Sequence, residues 1–102
     1  MTVPVRVAPR ALDWIRRETE YLSERNLKAA ERFRAALARG VQQLSAHPHS
    51  GRPGLIPGTR ILVRGDYLIS YRVTFERDGM TPHAVEIFAV RHARQADARE
   101  PS

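Results

Sequence analysis

Cysteine is absent from this 102-residue chain, and lysine occurs only once, at Lys28. Without cysteine the chain can form neither a disulfide framework nor a thiolate metal site, and it is compatible with a reducing compartment. No segment approaches the roughly 18 apolar residues that a membrane-spanning helix needs, and residues 1–10 contain no apolar run of signal-peptide length. We therefore expect a cytoplasmic protein without membrane association.

Acidic residues are in the minority. The chain has 17 Lys and Arg against 11 Asp and Glu, which gives a net charge of +6 and a pI of about 11.0. Such a balance favours anionic partners, either nucleic acid or an acidic protein. The preference for arginine over lysine has a second interpretation, because it can reflect genome composition rather than phosphate binding.

Two helices are predicted in the first half of the chain. Pro9 suits the first turn of a helix, and apolar residues at helical spacing predict helices near 9–24 and 27–46. Asn26 is a plausible N-cap for the second helix. Because the link between the helices is short, they should form an antiparallel hairpin. Gly40 weakens the second helix but can mark close packing.

Alternating apolar and polar residues predict four strands. The first lies near 3–8 and should be an edge strand, because Pro4 cannot donate to a ladder. The others begin at Ile61, Tyr67 and Val85. The predicted fold is therefore α+β, in the order β-α-α-β-β-β, with the helical hairpin on one face of a small, mainly antiparallel four-stranded sheet. We expect one domain over 1–95 and a polar tail over 96–102.

Strand parity predicts what lies on the sheet face away from the helices. An apolar patch with a charged rim is expected there, which more often binds another protein than arises by accident. The alternative is that a terminal segment of the chain covers the patch. The apolar members are Leu62, Leu68, Phe88 and Val90, and the rim residues are Arg60, Arg64 and Arg72.

Patterns for catalysis or metal binding are weak. The histidines lack ligand spacing, the serines lack a nearby His/Asp pattern, and the glycine-rich segment lacks the lysine of a phosphate-binding loop. We expect no metal and no cofactor. Metal-free RNA cleavage stays open, because guanidinium groups can stabilise a phosphorane while a His or Tyr moves protons. Its candidates are Arg60, Arg64, Tyr71, Arg72, Arg91 and His92.

Several short motifs follow one another along nearly the whole chain. They are His47–Pro48, Gly51–Arg52–Pro53, Gly58–Thr59–Arg60, Tyr67-x-x-x-Tyr71, Val85–Glu86–Ile87 and Val90–Arg91–His92–Ala93–Arg94. In this order, and after a helical hairpin at 9–46, they resemble the RelE/ParE superfamily of toxins from bacterial toxin–antitoxin operons.

The resemblance implies one of two activities. RelE-like members cleave ribosome-bound mRNA and generally carry an arginine directly after the first tyrosine of the third strand, where this chain has Leu68. The lysine-rich second strand of RelE is also missing. ParE-like members poison DNA gyrase, and the loop Ser50–Gly58 and the residues 90–94 resemble ParE.

We therefore expect a ParE-like toxin that inhibits gyrase, arrests growth and has no catalytic residues of its own. The alternative is a ribosome-dependent endoribonuclease that uses Arg60, Arg64, Arg91 and His92. A third possibility is a plain interaction module or a decayed toxin.

The resemblance also implies a ParD-like antitoxin, whose C-terminal region wraps the toxin in a hetero-oligomer with two or more copies of each chain. Specific DNA binding is not expected without this antitoxin. Contacts with the gyrase target are expected at Arg52, Arg91, His92 and Arg94. Antitoxin contacts are expected on the helical hairpin and the sheet, at Leu12, Ile15, Arg60, Leu62, Arg64, Leu68, Arg72, Phe88 and Val90.

Overall fold

The computed structural model describes residues 2–94, so the expected tail at 96–102 lies outside the described residues. Within this part of the chain no helix is both long and apolar enough to cross a membrane. The elements, in chain order, are β1 (Val5–Val7), α1 (Pro9–Arg25), α2 (Leu27–Ala46), β2 (Arg52–Pro53), β3 (Thr59–Arg64), β4 (Tyr67–Phe75) and β5 (Pro82–His92).

The strands form one mixed sheet in the order β1-β5-β4-β3-β2. β1 runs parallel to β5, and the remaining neighbours are antiparallel. The predicted α+β fold is confirmed, and β1 occupies the edge that Pro4 indicated. The sheet has five strands rather than four, because Arg52 and Pro53 pair with Ile61 and Arg60 in a segment that the sequence assigned to a loop.

The helical hairpin is also confirmed. α1 begins with a proline in its first turn, and the Asn26 side chain accepts a hydrogen bond of 3.1 Å from the backbone N–H of Ala29, which caps α2. The hairpin packs on one face of the sheet, and the core between them includes Phe33 and Leu44 of α2 and Ile69 of β4.

Gly40 lets α2 approach the sheet closely. A Cβ at this position would lie 2.7 Å from Cδ1 of Ile69 and 3.3 Å from Cγ of Arg64. The close packing suggested by the sequence is therefore present, and it explains a glycine in the interior of a helix.

A β-bulge at Phe88 changes which side chains of β5 face the helices. Ser70 pairs with Ala89, but the next residue of β4, Tyr71, pairs with Ile87, so Phe88 is an extra residue on β5. Beyond the bulge the alternation is reversed, and Val90 is turned into the core, where it is 2% exposed. The prediction of an exposed Val90 was wrong because simple parity does not survive a bulge.

The second strand of the prediction was placed on the wrong face. Leu62 pairs with Ile69, and it belongs to the core with 5% of its surface exposed. Arg60 and Arg64 share the face of Leu62, because residues two apart on a strand point the same way. Alternation showed that these three residues share a face, but it contained no information on which face that was.

Candidate functional site

The face of the sheet away from the helices is called the outer face below. Its apolar members are Ile61, Val63, Leu68 and Phe88, and its polar members include Ser70, Arg72 and Arg91, as the strand register and the bulge require. Val63 is 49% exposed, Ile61 and Phe88 are half-buried, and Leu68 and Ser70 are largely buried.

Arginines frame the apolar part of the outer face. The guanidinium carbon of Arg72 lies 5.2 Å from the centroid of the Phe88 ring, within cation–π range. Arg91 pairs with Leu68 in the register, and its Nη2 lies 3.5 Å from Oγ of Ser70. The structure thus retains a mixed apolar and cationic face, with Ile61 and Val63 as apolar members instead of the predicted Leu62 and Val90.

The predicted contact residues of α1 have different exposures. Leu12 is exposed, whereas Ile15 is half-buried and packs against the core. Both lie on the helical hairpin, which covers the opposite side of the sheet from the outer face. The predicted antitoxin residues are therefore distributed over more than one surface.

Arg60 and Tyr71 hold the segment that links α2 to β3. The Tyr71 hydroxyl donates a hydrogen bond of 2.7 Å to the carbonyl of Pro48 and accepts one of 2.9 Å from the N–H of Gly51. Nη1 of Arg60 donates to the carbonyls of Gly51, at 2.6 Å, and His49, at 3.3 Å. We call residues 47–58 the braced loop, because side chains of two strands fix its backbone.

Burial decides the ionisation state of Tyr71. Burial raises the pKa of its hydroxyl, while the hydrogen bond from Gly51 and the charge of Arg60 act in the opposite direction. The result is a neutral phenol that serves as both donor and acceptor. Neither Tyr71 nor Arg60 is free to act on a substrate in this arrangement.

A cleft of about 790 Å³ lies at the other end of the molecule, between the helical hairpin and the turn from β3 to β4. Its walls include Trp14, Tyr21, Arg17, Arg32, Tyr67 and His92. The Tyr67 hydroxyl donates to Glu18 at 3.0 Å. Burial raises the pKa of Tyr67, and Glu18 raises it further by hydrogen bond and charge.

His92 borders this cleft rather than the outer face. Its ring meets the ring of Tyr67 edge to face, with centroids 5.2 Å apart, and its Nδ1 accepts a hydrogen bond of 3.2 Å from the backbone N–H of Arg94. The sequence grouped His92 with Arg91 as candidate nuclease and target residues, and strand parity put His92 on the face away from the helices. The bulge instead turns His92 toward the helices and Arg91 toward the outer face.

The predicted nuclease residues are dispersed. Arg64 and His92 flank Tyr67 across three neighbouring strands, but Arg60 lies four residues away along β3, about 13 Å at normal strand rise. Arg91 points to the other face of the sheet. The predicted target residues are equally spread, since Arg52 is exposed on the edge strand β2.

The sequence did not reveal the brace or the residues that the braced loop displays. Leu55 and Ile56, at its tip, are 67% and 56% exposed. They lie within a Gly/Pro-rich segment, which indicates a loop but not which of its side chains are held in solvent.

Comparison with known proteins identifies the family. Residues 5–97 match the family model described as ParE toxin of type II toxin-antitoxin system, parDE. Over 77 residues the chain is 42% identical to Y4kP of Sinorhizobium fredii (strain NBRC 101917 / NGR234), which is named as a candidate toxin. That alignment covers 74% of this chain and 72% of the relative.

Solved structures share the fold. A chain of the chromosomal ParDE system from P. aeruginosa superimposes with a TM-score of 0.67 at 17% identity, covering 89% of this chain and 96% of the other. A chain of the toxin–antitoxin complex RelBE2 from Mycobacterium tuberculosis gives a TM-score of 0.58 at 25% identity, covering 90% and 99%. Taken with the family match, the geometry leads to one conclusion: this chain belongs to the ParE toxins of type II toxin–antitoxin systems.

Proposed function

We propose that this toxin inhibits DNA gyrase and is neutralised by a ParD-like antitoxin. The observation that carries the first part is that two of the candidate nuclease residues, Arg60 and Tyr71, have structural roles. Arg60 and Tyr71 fix the braced loop, and Leu68 stands where RelE-like nucleases generally have an arginine. A toxin built in this way is suited to act by binding a protein rather than by cleaving RNA.

The geometry argues against shared chemistry among the predicted nuclease residues. Phosphodiester cleavage without a metal needs cationic groups and a proton-transfer group that converge on one phosphate. Here Arg91 and His92 face opposite sides of the sheet, and Arg60 donates to two backbone carbonyls. A single substrate phosphate cannot contact all of them.

We assign the antitoxin to the outer face, with Leu12 as a contact where the antitoxin passes onto the hairpin. Ile61, Val63 and Phe88 supply half-buried or exposed apolar surface there, and Arg72 offers a positive charge beside it. Leu62 and Val90 are removed from the expected contact set because they are core residues, and Leu68, although on the outer face, is only 9% exposed. An antitoxin segment with apolar anchors and acidic flanks fits this face, and the charges would favour fast, specific association.

The gyrase proposal is tested with purified toxin, gyrase and relaxed plasmid. We expect toxin to inhibit supercoiling or to trap cleaved DNA, and stoichiometric antitoxin to relieve the effect. Normal supercoiling at a large molar excess of folded toxin would reject gyrase as the target.

The antitoxin face is tested by matched charge substitutions. Val63→Glu places a carboxylate on the outer face and should weaken binding of the antitoxin, whereas Met80→Glu places the same charge on the exposed turn between β4 and β5 and should not. Equal antitoxin affinity for the two variants would place the interface elsewhere.

The endoribonuclease alternative has one observation in its favour. The cleft brings His92 together with Arg17 and Arg32 beside aromatic side chains on which bases could stack. If this cleft cleaves mRNA, toxin induction should produce codon-positioned cuts that His92→Ala abolishes. Intact transcripts during growth arrest would exclude it.

A further inference from the structure

The tip of the braced loop combines rigidity with exposed apolar surface. Thr59 closes the tip: its N–H and its hydroxyl both donate to the carbonyl of Ile56, at 3.1 Å and 2.6 Å, and its carbonyl accepts from Gly54 at 2.8 Å. Gly58 provides the turn with a φ of +85°. Between these anchors the chain displays Leu55 and Ile56.

The base of the loop is fixed independently. The buried hydroxyl of Tyr71 and the guanidinium of Arg60 bind its backbone, as described above. In addition, the His49 ring stacks on Phe75 of β4, with ring centroids 5.9 Å apart. A loop held at both its base and its tip loses little conformational entropy on binding, which raises affinity for a partner of matching shape.

Two large aliphatic side chains, each more than half exposed, are costly to leave in water. Neighbouring exposed apolar residues of this kind mark interaction sites more often than scattered ones do. Exposed side chains at the tip of a loop bury most of their surface when they enter a concave site on a partner. This argues for a pocket on a folded protein rather than for an extended antitoxin segment, which would need a groove or an open face to lie on.

The charge of the segment that contains the tip indicates which charge the partner should carry. No acidic residue occurs between Glu31 and Asp66, a stretch that includes Arg52 and Arg60. An acidic rim around the partner's pocket would therefore be complementary.

We infer that the tip of the braced loop is the element that engages the toxin's cellular target. Leu55 and Ile56 enter an apolar pocket with an acidic rim on a folded protein. This inference rests on the proposed function in one respect, namely that the chain is an active toxin with a protein target. It does not require that the target be gyrase.

The test compares the full-length double variant Leu55→Ser/Ile56→Ser with the control Leu27→Ser. Leu27 is 60% exposed and lies at the start of α2, at the far end of that helix from the braced loop. We expect the double variant to lose growth arrest on induction while keeping the wild-type melting temperature and antitoxin affinity. In a target-binding assay it should bind at least about tenfold more weakly, and Leu27→Ser should behave as wild type.

Four outcomes would overturn the inference. The first is growth arrest by a folded double variant at wild-type expression. The second is a loss of antitoxin affinity with toxicity retained, which would assign the tip to the antitoxin. The third is a change from dimer to monomer in sedimentation, which would assign it to a second copy of this chain. The fourth is a loss of affinity for DNA alone that equals the loss of affinity for the target, which would assign the tip to nucleic-acid binding.

Two further measurements distinguish failure of the inference from misfolding of the variant and from a wrong identification of the target. If the serine variant melts early, a photo-crosslinking residue at Leu55 in the otherwise wild-type chain should crosslink to the purified target, and one at Leu27 should not; the reverse pattern refutes the inference. If wild-type toxin arrests growth without inhibiting gyrase, the gyrase proposal fails, but growth arrest still decides the role of the tip.

Discussion

Removing one oxygen atom should loosen the braced loop. In Tyr71→Phe the ring stays in the core, but the hydrogen bonds to Pro48 and from Gly51 are lost, and the buried N–H of Gly51 is left without its acceptor. At a net 0.5–1.5 kcal/mol for each hydrogen bond, we expect a loss of about 1–3 kcal/mol in the free energy of unfolding. For a domain of this size that is a fall of roughly 5–20 °C in Tm.

Urea denaturation and amide hydrogen exchange measure the effect together. The denaturation midpoint should fall, and exchange at Gly51 should accelerate more than exchange in the centre of β4. Tyr21→Phe is the matched control, because Tyr21 is exposed and its loss of a hydroxyl should change stability by less than about 0.5 kcal/mol. Identical midpoints and unchanged exchange at Gly51 would refute the brace.

Three other predictions concern local packing, capping and charge. Gly51→Ala should lower the free energy of unfolding by about 2–3 kcal/mol, because its Cβ would lie 2.8 Å from the Ile61 carbonyl oxygen. Gly40→Ala should lower it by less, because the higher helix propensity of alanine offsets up to about 1 kcal/mol of the loss. Thermal melts of both variants check this, and the opposite ranking would contradict it. Asn26→Ala should cost about 1 kcal/mol, and Asn26→Asp should restore most of it; equal Tm values for wild type and the alanine variant would show that the cap is unimportant. Hydrogen bonds from Thr81 lower the pKa of Asp78 below its ordinary 3.8. The ionised carboxylate is therefore favoured in the folded state, and its stabilisation is present above pH 3.8 and disappears as the pH falls through the folded-state pKa. An NMR titration of Asp78 with its midpoint at or above 3.8 would contradict this.

The helices and the longer strands could be predicted from local patterns. Pro9 and Asn26 mark helix starts by chemistry that acts within one turn, and alternation along residues 67–75 identifies a strand without reference to its neighbours. β2 could not be predicted in the same way. Two residues are too few for a periodic signal, and they form a strand only because β3 offers a partner.

The candidate surfaces were predicted less well, because alternation alone shows neither which face of a strand is buried nor where a bulge lies. The extra residue at Phe88 reverses the faces of Val90 and His92, and nothing in the local sequence marks a bulge there. The role of Arg60 also depends on tertiary structure. An arginine on a basic strand suggests an anion-binding role. Here the Arg60 side chain instead donates to two carbonyls of the braced loop, which lie 9 and 11 residues earlier in the chain.

Both edge strands of the sheet are short. β1 has three residues and follows Pro4, and β2 has two residues and ends in Pro53. Very short edge strands and edge prolines are two devices by which proteins limit edge-to-edge pairing, because a short strand is a poor template and proline cannot donate a hydrogen bond. A toxin without its antitoxin must stay soluble to act. These short edge strands should therefore limit fibril formation by the free toxin. Lengthening either edge strand with valine or threonine should increase its aggregation, measured as turbidity on storage.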